Sequence, residues 1–189
     1  MNWKWGKPNI ISSMGAIECS RNLLYHKLYK NRGDFVVRTS SILLMRQAIE
    51  LRIKNAFGIE HVFNEADEMI KIPSNIFIDI IRRNNNKIDF PVKTSVILKI
   101  HNWTQYYVHG GFSPHLWEIE YAHHVLKTLF GGGEYNQVVS IYGSIKVARS
   151  LYDNIENEVN IILNGRRSNH IKYKVVQRKS PESIIMEGQ

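Results

Sequence analysis

Arg21, Asn22 and His26 lie close together in the chain and have the side chains that act on phosphodiesters. An arginine grips phosphate through two parallel N–H donors, and an imidazole exchanges protons near neutral pH. Cleavage of RNA by its own 2′-hydroxyl needs both groups, because charge develops at phosphorus while protons move. We therefore predict Arg21, Asn22 and His26 as one candidate catalytic group. Residues five apart on a helix differ by about 140° in direction, so this arginine and histidine do not readily converge within one protomer.

Asn102, Tyr106 and His109 form a second candidate catalytic group. At about 100° per residue, these three side chains share one face of a helix, with the asparagine and the histidine about 10 Å apart. Gly110 and Gly111 follow, and they end the helix because glycine tolerates the left-handed conformation that helix ends need. The glycines also leave room for a phosphate beside His109. The two groups lie on different helices, so we expect only one of them to be functional.

Helical periodicity predicts the elements that carry these groups. The first helix is expected from Ser12 or Ser13 to about residue 30. A second is expected over residues 41–57, capped by one of the hydroxyl residues 39–41 and ended by Gly58. On this second helix Arg46 lies four residues before Glu50, so we predict a structural ion pair near the site.

Two further helices are expected in the middle of the chain. The helix of His109 presents an apolar stripe to the core, formed by Val96, Ile100, Trp103 and Tyr107. For the next helix, Ser113 is the predicted N-cap and Pro114 the first helical residue. Its expected buried face consists of Ile119, Ala122, Leu126 and Leu129.

A periodic apolar run fills residues 138–162. Its members alternate at spacings of three and four, which predicts one long helix ended by Asn164 and Gly165. We favour a helix laid across its own bundle over an intermolecular coiled coil. After it, residues 171–175 alternate between apolar residues and lysine, which indicates either a short strand or an extended basic arm. The expected architecture is all-α, with five or six helices in a single domain over residues 1–165 and a basic C-terminal tail over residues 166–189.

The net charge of +8 is concentrated at the two ends of the chain. Residues 1–57 carry +7, residues 58–163 carry −3 and residues 164–189 carry +4. Such a distribution favours a polyanionic partner, RNA or DNA first, bound through its phosphates. Solubility alone explains the charge equally well. The predicted nucleic-acid-binding residues of the tail are Arg166, Arg167, Lys172, Lys174, Arg178 and Lys179.

From the sequence we expect no internal disulfide, no membrane-spanning helix and no metal site. The single cysteine, Cys19, rules out an internal disulfide and favours the reducing cytoplasm. No apolar run reaches the roughly 18 residues of a membrane helix, so we expect no membrane partner. Glu120 and His123 imitate half of a di-iron helix pair, but the second half is missing. We therefore expect no metal and no cofactor.

The motif Arg21-Asn22-x-x-x-His26 resembles the signature of the HEPN superfamily of metal-independent ribonucleases. A second resemblance covers residues of about 40–130, where LLMRQAIELRIKNAFGI precedes HNWTQYYVHGG, as in non-catalytic and poorly characterised HEPN-like bacterial proteins. It implies that His109 matches the HEPN histidine and that Asn102 replaces the arginine of active enzymes. The resemblance also implies a helical bundle and a two-fold homodimer in which the two copies of one motif, one from each protomer, line one cleft.

Two classes of function follow from these observations. The first is a HEPN-like RNA-binding protein of the defence or toxin kind, possessing at most weak metal-independent ribonuclease activity. Arg21 favours the first motif for an active enzyme, whereas the broader resemblance favours Asn102 and His109 for a site that has lost its arginine; we expect the second. The alternative function is a helical protein-interaction module, an adaptor or inhibitor, with its partner along Val138–Ile162.

Overall fold

The computed structural model describes residues 12–25, 34–130, 134–135, 138–139, 145–167, 171–178, 181 and 183–186. Within these residues the helices are α1 (Ser13–Tyr25), α2 (Asp34–Ala56), α3 (Asn75–Arg83), α4 (Thr94–Gly110), α5 (Leu116–Phe130), α6 (Arg149–Tyr152) and α7 (Ile155–Arg167). The strands are β1 (Ile59–Phe63), β2 (Ile88–Asp89), β3 (Glu134–Tyr135), β4 (Val138–Val139), β5 (Lys146–Ala148), β6 (Lys174–Gln177) and β7 (Ile184–Met186). A short 3-10 helix, Asn85–Lys87, precedes β2.

The central helix of the fold is α2, which contacts α1, α3, α4 and α5. A helix with neighbours on several sides is apolar around much of its circumference rather than along one stripe. The buried apolar side chains of α2 are Ile42, Met45, Ala48, Ile49, Ile53 and Ala56. The helix begins at Asp34, earlier than the expected start near Ser41. Ser41 is no cap, because its hydroxyl lies inside the core and donates to the carbonyl of Ser20 at 2.8 Å.

The expectation of an all-α bundle is wrong, because the described residues also form small sheets. The strand β1 pairs antiparallel with β6, so that Ile59 lies opposite Gln177. In a three-stranded sheet, β5 is antiparallel to β2 and parallel to β7. A hairpin joins β3 and β4. Each strand is short and most pair with a distant part of the chain, so local periodicity does not predict them.

The single long helix expected over residues 138–162 is also absent. The segment contains β4, then β5, then α6, and the chain turns at Asp153 and Asn154 before α7. The regular spacing of its apolar residues has a different cause, because Ile145, Ala148, Tyr152, Ile155, Val159 and Ile162 are all buried in the core. A protein partner along this segment would have to bind side chains that the fold already covers. These six side chains are therefore not available to a protein partner, whereas Ile161 is 42% exposed and Ile141 and the side chain of Val138 lie outside the described residues.

Residues after 167 are tied to the helical part by a polar row on α7. The side-chain amide of Asn160 bonds to both the carbonyl and the N–H of Tyr173, each at 2.7 Å. Asn164 does the same to Ile171, at 2.9 and 3.1 Å. Glu156 accepts from the N–H of Val175 at 2.8 Å. Four helical residues rise about 6 Å and two extended residues about 6.6 Å, so every fourth side chain of a helix matches every second residue of an extended segment.

The extended segment that this row holds is the predicted alternation of residues 171–175. Tyr173 is buried while Lys172 and Lys174 are exposed, as the sequence pattern requires. Of the two alternatives, a strand and a free basic arm, the strand is the one observed. None of the helices in the described part of the chain has the length and apolar character needed to cross a membrane.

Candidate functional site

The N-terminal helix α1 positions Arg21. The hydroxyl of Ser12 accepts the N–H of Gly15 at 2.9 Å, so the predicted N-cap is confirmed. One side of the helix, which includes Ala16 and Ile17, is buried in the core. Four residues separate Arg21 from Tyr25 and three separate it from Glu18, so these side chains share a face.

Helix α5 faces α1 and supplies the histidines of the site. Its predicted buried residues, Ile119, Ala122, Leu126 and Leu129, are all buried. The helix begins at Leu116 rather than at Pro114. Glu118 explains this start, because its carboxylate accepts the N–H of His115 at 2.7 Å and so satisfies a free donor before the first turn. A glutamate that reaches back in this way is half of a capping box, with His115 in the cap position.

A cleft of about 370 Å³ lies between the two helices, and we call it the α1–α5 cleft. It is lined from α1 by Met14, Ile17, Glu18, Arg21 and Tyr25, and from α5 by Glu120, His123, His124, Leu126, Lys127 and Phe130. Two cations, two carboxylates and two imidazoles thus surround an apolar floor. Arg21 therefore shares the cleft with histidines from another helix.

His123 is held in one state by its neighbours on α1 and α2. Its Nε2 lies 3.0 Å from the hydroxyl of Ser20, and that hydroxyl donates to the carbonyl of Ser41 at 2.7 Å. Because the single hydroxyl hydrogen is used there, Nε2–H of His123 donates to Ser20. Burial, followed by the nearby charge of Arg21, lowers the pKa of His123 to about 4. At neutral pH His123 is a neutral side chain that fastens α5 to α1.

Tyr25 and Glu120 close the other side of the cleft. The phenol of Tyr25 donates to Oε1 of Glu120 at 2.7 Å. This hydrogen bond, and then burial, raises the pKa of Tyr25 above its ordinary value, so the phenol keeps its proton. Because Oε1 of Glu120 accepts this hydrogen bond, Glu120 is not a free base. Among the imidazoles of the cleft, His124 is exposed.

The structure describes only two residues of the first predicted catalytic group. Arg21 and Asn22 are exposed on α1, and His26 lies outside the described residues. Arg21 lines the α1–α5 cleft, whereas Asn22 does not. Arg21 shares the cleft with His123, which the sequence indicated only as half of a di-iron pair, and with His124. The described residues contain no group of three or more His, Cys, Asp or Glu side chains placed to hold a metal ion.

The second predicted catalytic group lies on the exposed face of α4. Asn102, Tyr106 and His109 are exposed, and none of them lines the α1–α5 cleft. The ring of Tyr106 stacks on that of Phe112, with centroids 5.3 Å apart and planes 5° from parallel. Gly111 ends the helix in the left-handed conformation, with φ of 68°, as predicted. The three side chains share a face, but they form no enclosed site with the cleft residues.

The predicted ion pair of Arg46 and Glu50 is present, with Nε 2.8 Å from Oε1. The same oxygen lies 3.1 Å from Nε2 of His101, which sequence reasoning missed. His101 is 3% exposed because the buried face of α4 consists of Ile97, Ile100, His101 and Thr104. The predicted stripe of Val96, Trp103 and Tyr107 packs only at the edge of the core. A signal was available, because His101 follows Ile97 and Ile100 at helical spacing.

Two of the predicted basic residues of the tail have structural partners. Arg166 pairs with Asp79 of α3, and Arg178 lies 3.3 Å from Glu60 of β1. Lys172 and Lys174 are exposed, while the side chain of Arg167 and the whole of Lys179 lie outside the described residues. No family model, curated protein or solved structure matches this chain.

Proposed function

We propose that this protein binds RNA through its phosphates in the α1–α5 cleft, with weak or absent cleavage. The observation that carries the proposal is the position of Arg21, the arginine of the HEPN-like motif, in a cleft with His124 and Lys127. An arginine and a lysine together provide a planar donor fork and a compact positive charge, the two groups that most often bind phosphate. The net charge of +8 favours the approach of a polyanion over long range.

The chemistry of the cleft favours binding over cutting. Metal-independent cleavage through the 2′-hydroxyl needs one group that removes a proton and one that supplies a proton. His124 is available for one of these roles, but His123 is neutral at pH 7 and donates to Ser20. Glu120 already accepts a hydrogen bond from the phenol of Tyr25. We therefore expect any cleavage to depend on a single imidazole and to be slow.

The test measures binding of a single-stranded RNA oligonucleotide in EDTA at several salt concentrations. We expect Arg21→Ala and Lys127→Ala each to weaken binding and to reduce the slope of log affinity against log salt by about 0.7, the contribution of one phosphate contact on a single strand. Arg82→Ala is the matched control, because Arg82 is a similarly exposed helical arginine on α3. Equal affinity of the wild type and Arg21→Ala for RNA would contradict the proposal.

Cleavage is measured in the same buffer with His26→Ala, His109→Ala and His124→Ala. Slow cleavage that only His124→Ala abolishes would support the cleft as the active site. Cleavage that only His109→Ala abolishes would instead assign the reaction to the exposed face of α4. Cleavage that only His26→Ala abolishes would assign the reaction to Arg21, Asn22 and His26.

A further inference from the structure

Two large aromatic side chains on α5, beside the cleft, are exposed to solvent. Trp117 and Tyr121 are each 65% exposed, although rings of this size are usually covered in a folded domain. Four residues separate them, so they lie on one face of the helix, about 6 Å apart along its axis. His124, three residues further on, lies on the same face and also lines the α1–α5 cleft. We call Trp117 and Tyr121 the α5 aromatic pair.

We propose that the α5 aromatic pair stacks on successive bases of single-stranded RNA whose phosphates lie in the α1–α5 cleft. This inference rests on the proposed function and specifies its substrate as single-stranded. Exposed rings beside a positively charged groove are the usual arrangement for binding single strands, because every base offers a flat face. A base-paired strand keeps its bases stacked inside the duplex and could not use these rings.

The charged side chains differ between the two ends of α5. One end suits the phosphates of the RNA and the other suits its bases. Lys127, and Arg21 facing it from α1, lie at the cleft and suit phosphates. Near the aromatic pair Glu118 accepts from the N–H of His115, and Glu120, which with Glu18 also lines the cleft, accepts from Tyr25. Carboxylates repel phosphates but not the uncharged face of a base. A strand bound with its backbone at the cleft would therefore turn its bases toward Trp117 and Tyr121.

A protein partner fits this surface less well. A stable protein interface covers about 800 Å² on each side and has a continuous apolar centre. On α5 the large apolar neighbour of the pair is Leu116, which is only 40% exposed, and the two glutamates flank the rings. Two separate rings with charged flanks match the needs of two bases better than those of an interface core.

The test compares two probes, an oligouridylate of about eight nucleotides and an abasic phosphodiester oligomer of equal length. We expect Trp117→Ala and Tyr121→Ala each to weaken oligouridylate binding by about 5- to 150-fold. Affinity for the abasic oligomer should stay unchanged, and Trp117→Phe should retain most of the affinity for oligouridylate. Phe112→Ala is the matched control, because Phe112 is a 54% exposed ring that lies outside α5 and does not line the α1–α5 cleft.

Other outcomes separate this inference from the proposed function. If Arg21→Ala weakens binding of both probes while Trp117→Ala and Tyr121→Ala change neither, the aromatic pair has no part in binding and the cleft remains. Equal weakening of both probes by Trp117→Ala, or an equal loss with Phe112→Ala, would also overturn stacking at α5. If the wild type binds neither probe, both the cleft and the aromatic pair are excluded as an RNA site.

Discussion

Folding lowers the pKa of His123 to about 4, from an ordinary value of 6.5, through burial and then the charge of Arg21. Between these two values the unfolded chain binds more protons than the folded chain, so stability falls as pH falls through this window. We expect a loss of about 2 kcal/mol between pH 7 and pH 4, less than full linkage gives because the imidazole is only partly buried. Thermal unfolding of the wild type at pH 7 and pH 5 measures the effect.

His123→Gln keeps a donor for Ser20 but cannot titrate. Its melting temperature should therefore depend less on pH between 7 and 5 than that of the wild type. His124→Gln is the control at the neighbouring exposed position and should behave like the wild type. An undiminished pH dependence in His123→Gln would show that another group titrates in this window.

Glu50 provides a second prediction at the scale of residues. Burial by itself raises the pKa of Glu50, but hydrogen bonds from His101, Ser74 and Arg46 outweigh it and leave the pKa below its ordinary value. A carboxylate of this kind stabilises the fold above its ordinary pKa of about 4.3, and the contribution is lost as pH falls through the folded value. Glu50→Gln should lower the free energy of unfolding at pH 7 by about 2 kcal/mol, as measured by urea denaturation.

Asp153→Asn is the control for Glu50→Gln. It alters the exposed pair of Arg149 and Asp153, whose atoms lie 4.0 Å apart, and should change stability by less than about 1 kcal/mol. The wild type loses stability as pH falls through the folded pKa of Glu50. This loss should be smaller in Glu50→Gln. Equal effects of the two substitutions would mean that the buried cluster of Arg46, Glu50 and His101 adds no more than a surface pair.

At the scale of elements, Gly58 and Gly111 end α2 and α4 with the same positive φ of 68° but different surroundings. A Cβ at Gly58 would lie 2.5 Å from the hydroxyl oxygen of Tyr152, which donates to the carbonyl of Arg178. A Cβ at Gly111 meets nothing within 4 Å. Gly111→Ala should therefore cost only the backbone strain of about 1 kcal/mol, and Gly58→Ala clearly more, in chemical denaturation. Similar losses in both would show that Tyr152 moves aside freely.

The polar row on α7 leads to a prediction about the extended segment that it holds. Asn164→Ala removes both bonds to Ile171, and we expect a loss of about 1 to 3 kcal/mol. Hydrogen exchange at the N–H of Ile171 and Tyr173 should become faster. Asn157→Ala is the control, since Asn157 is exposed on the same helix. Unchanged exchange in Asn164→Ala would mean that Asn160, Glu156 and the pairing with β1 hold the segment without Asn164.

At the scale of the whole molecule, the C-terminal residues contribute to the core as well as to the charge. Deletion of residues 166–189 would remove β6, β7 and the buried Tyr173, so it cannot isolate the effect of charge. The double substitution of Lys172 and Lys174 to alanine keeps the strand. If the tail contacts RNA, this variant should reduce the salt slope by about 1.4. Lys71→Ala with Lys93→Ala, two exposed lysines elsewhere, should leave the slope unchanged.

A slope that does not change in the Lys172 and Lys174 variant would remove the tail from the interface and leave the cleft. The homodimer expected from the HEPN resemblance stays a prediction at this scale, and light scattering at micromolar concentration tests it. A dimer would matter for function only if it brought two α1–α5 clefts together.

Features that depend on neighbouring residues could be predicted from the sequence. The Ser12 cap, the glycine ends at Gly58 and Gly111, and the ion pair of Arg46 and Glu50 each involve groups within a few positions. The buried face of α5 was also predictable, because one side of that helix is consistently apolar. For these features, local hydrogen bonding and helical geometry leave few alternatives.

Which distant residues meet depends on how the whole chain packs. Ile59 pairs with Gln177, His101 with Glu50, and His123 with Ser20, and no local rule selects such partners. The apolar spacing of residues 138–162 fits a helix as well as it fits the observed strand, turn and helix, because every element there packs on the same core. The candidate site likewise depends on contacts between distant residues. Arg21 was recognisable as a cation, but its partners His123 and His124 come from another helix, and packing of α5 against α1 brings them there.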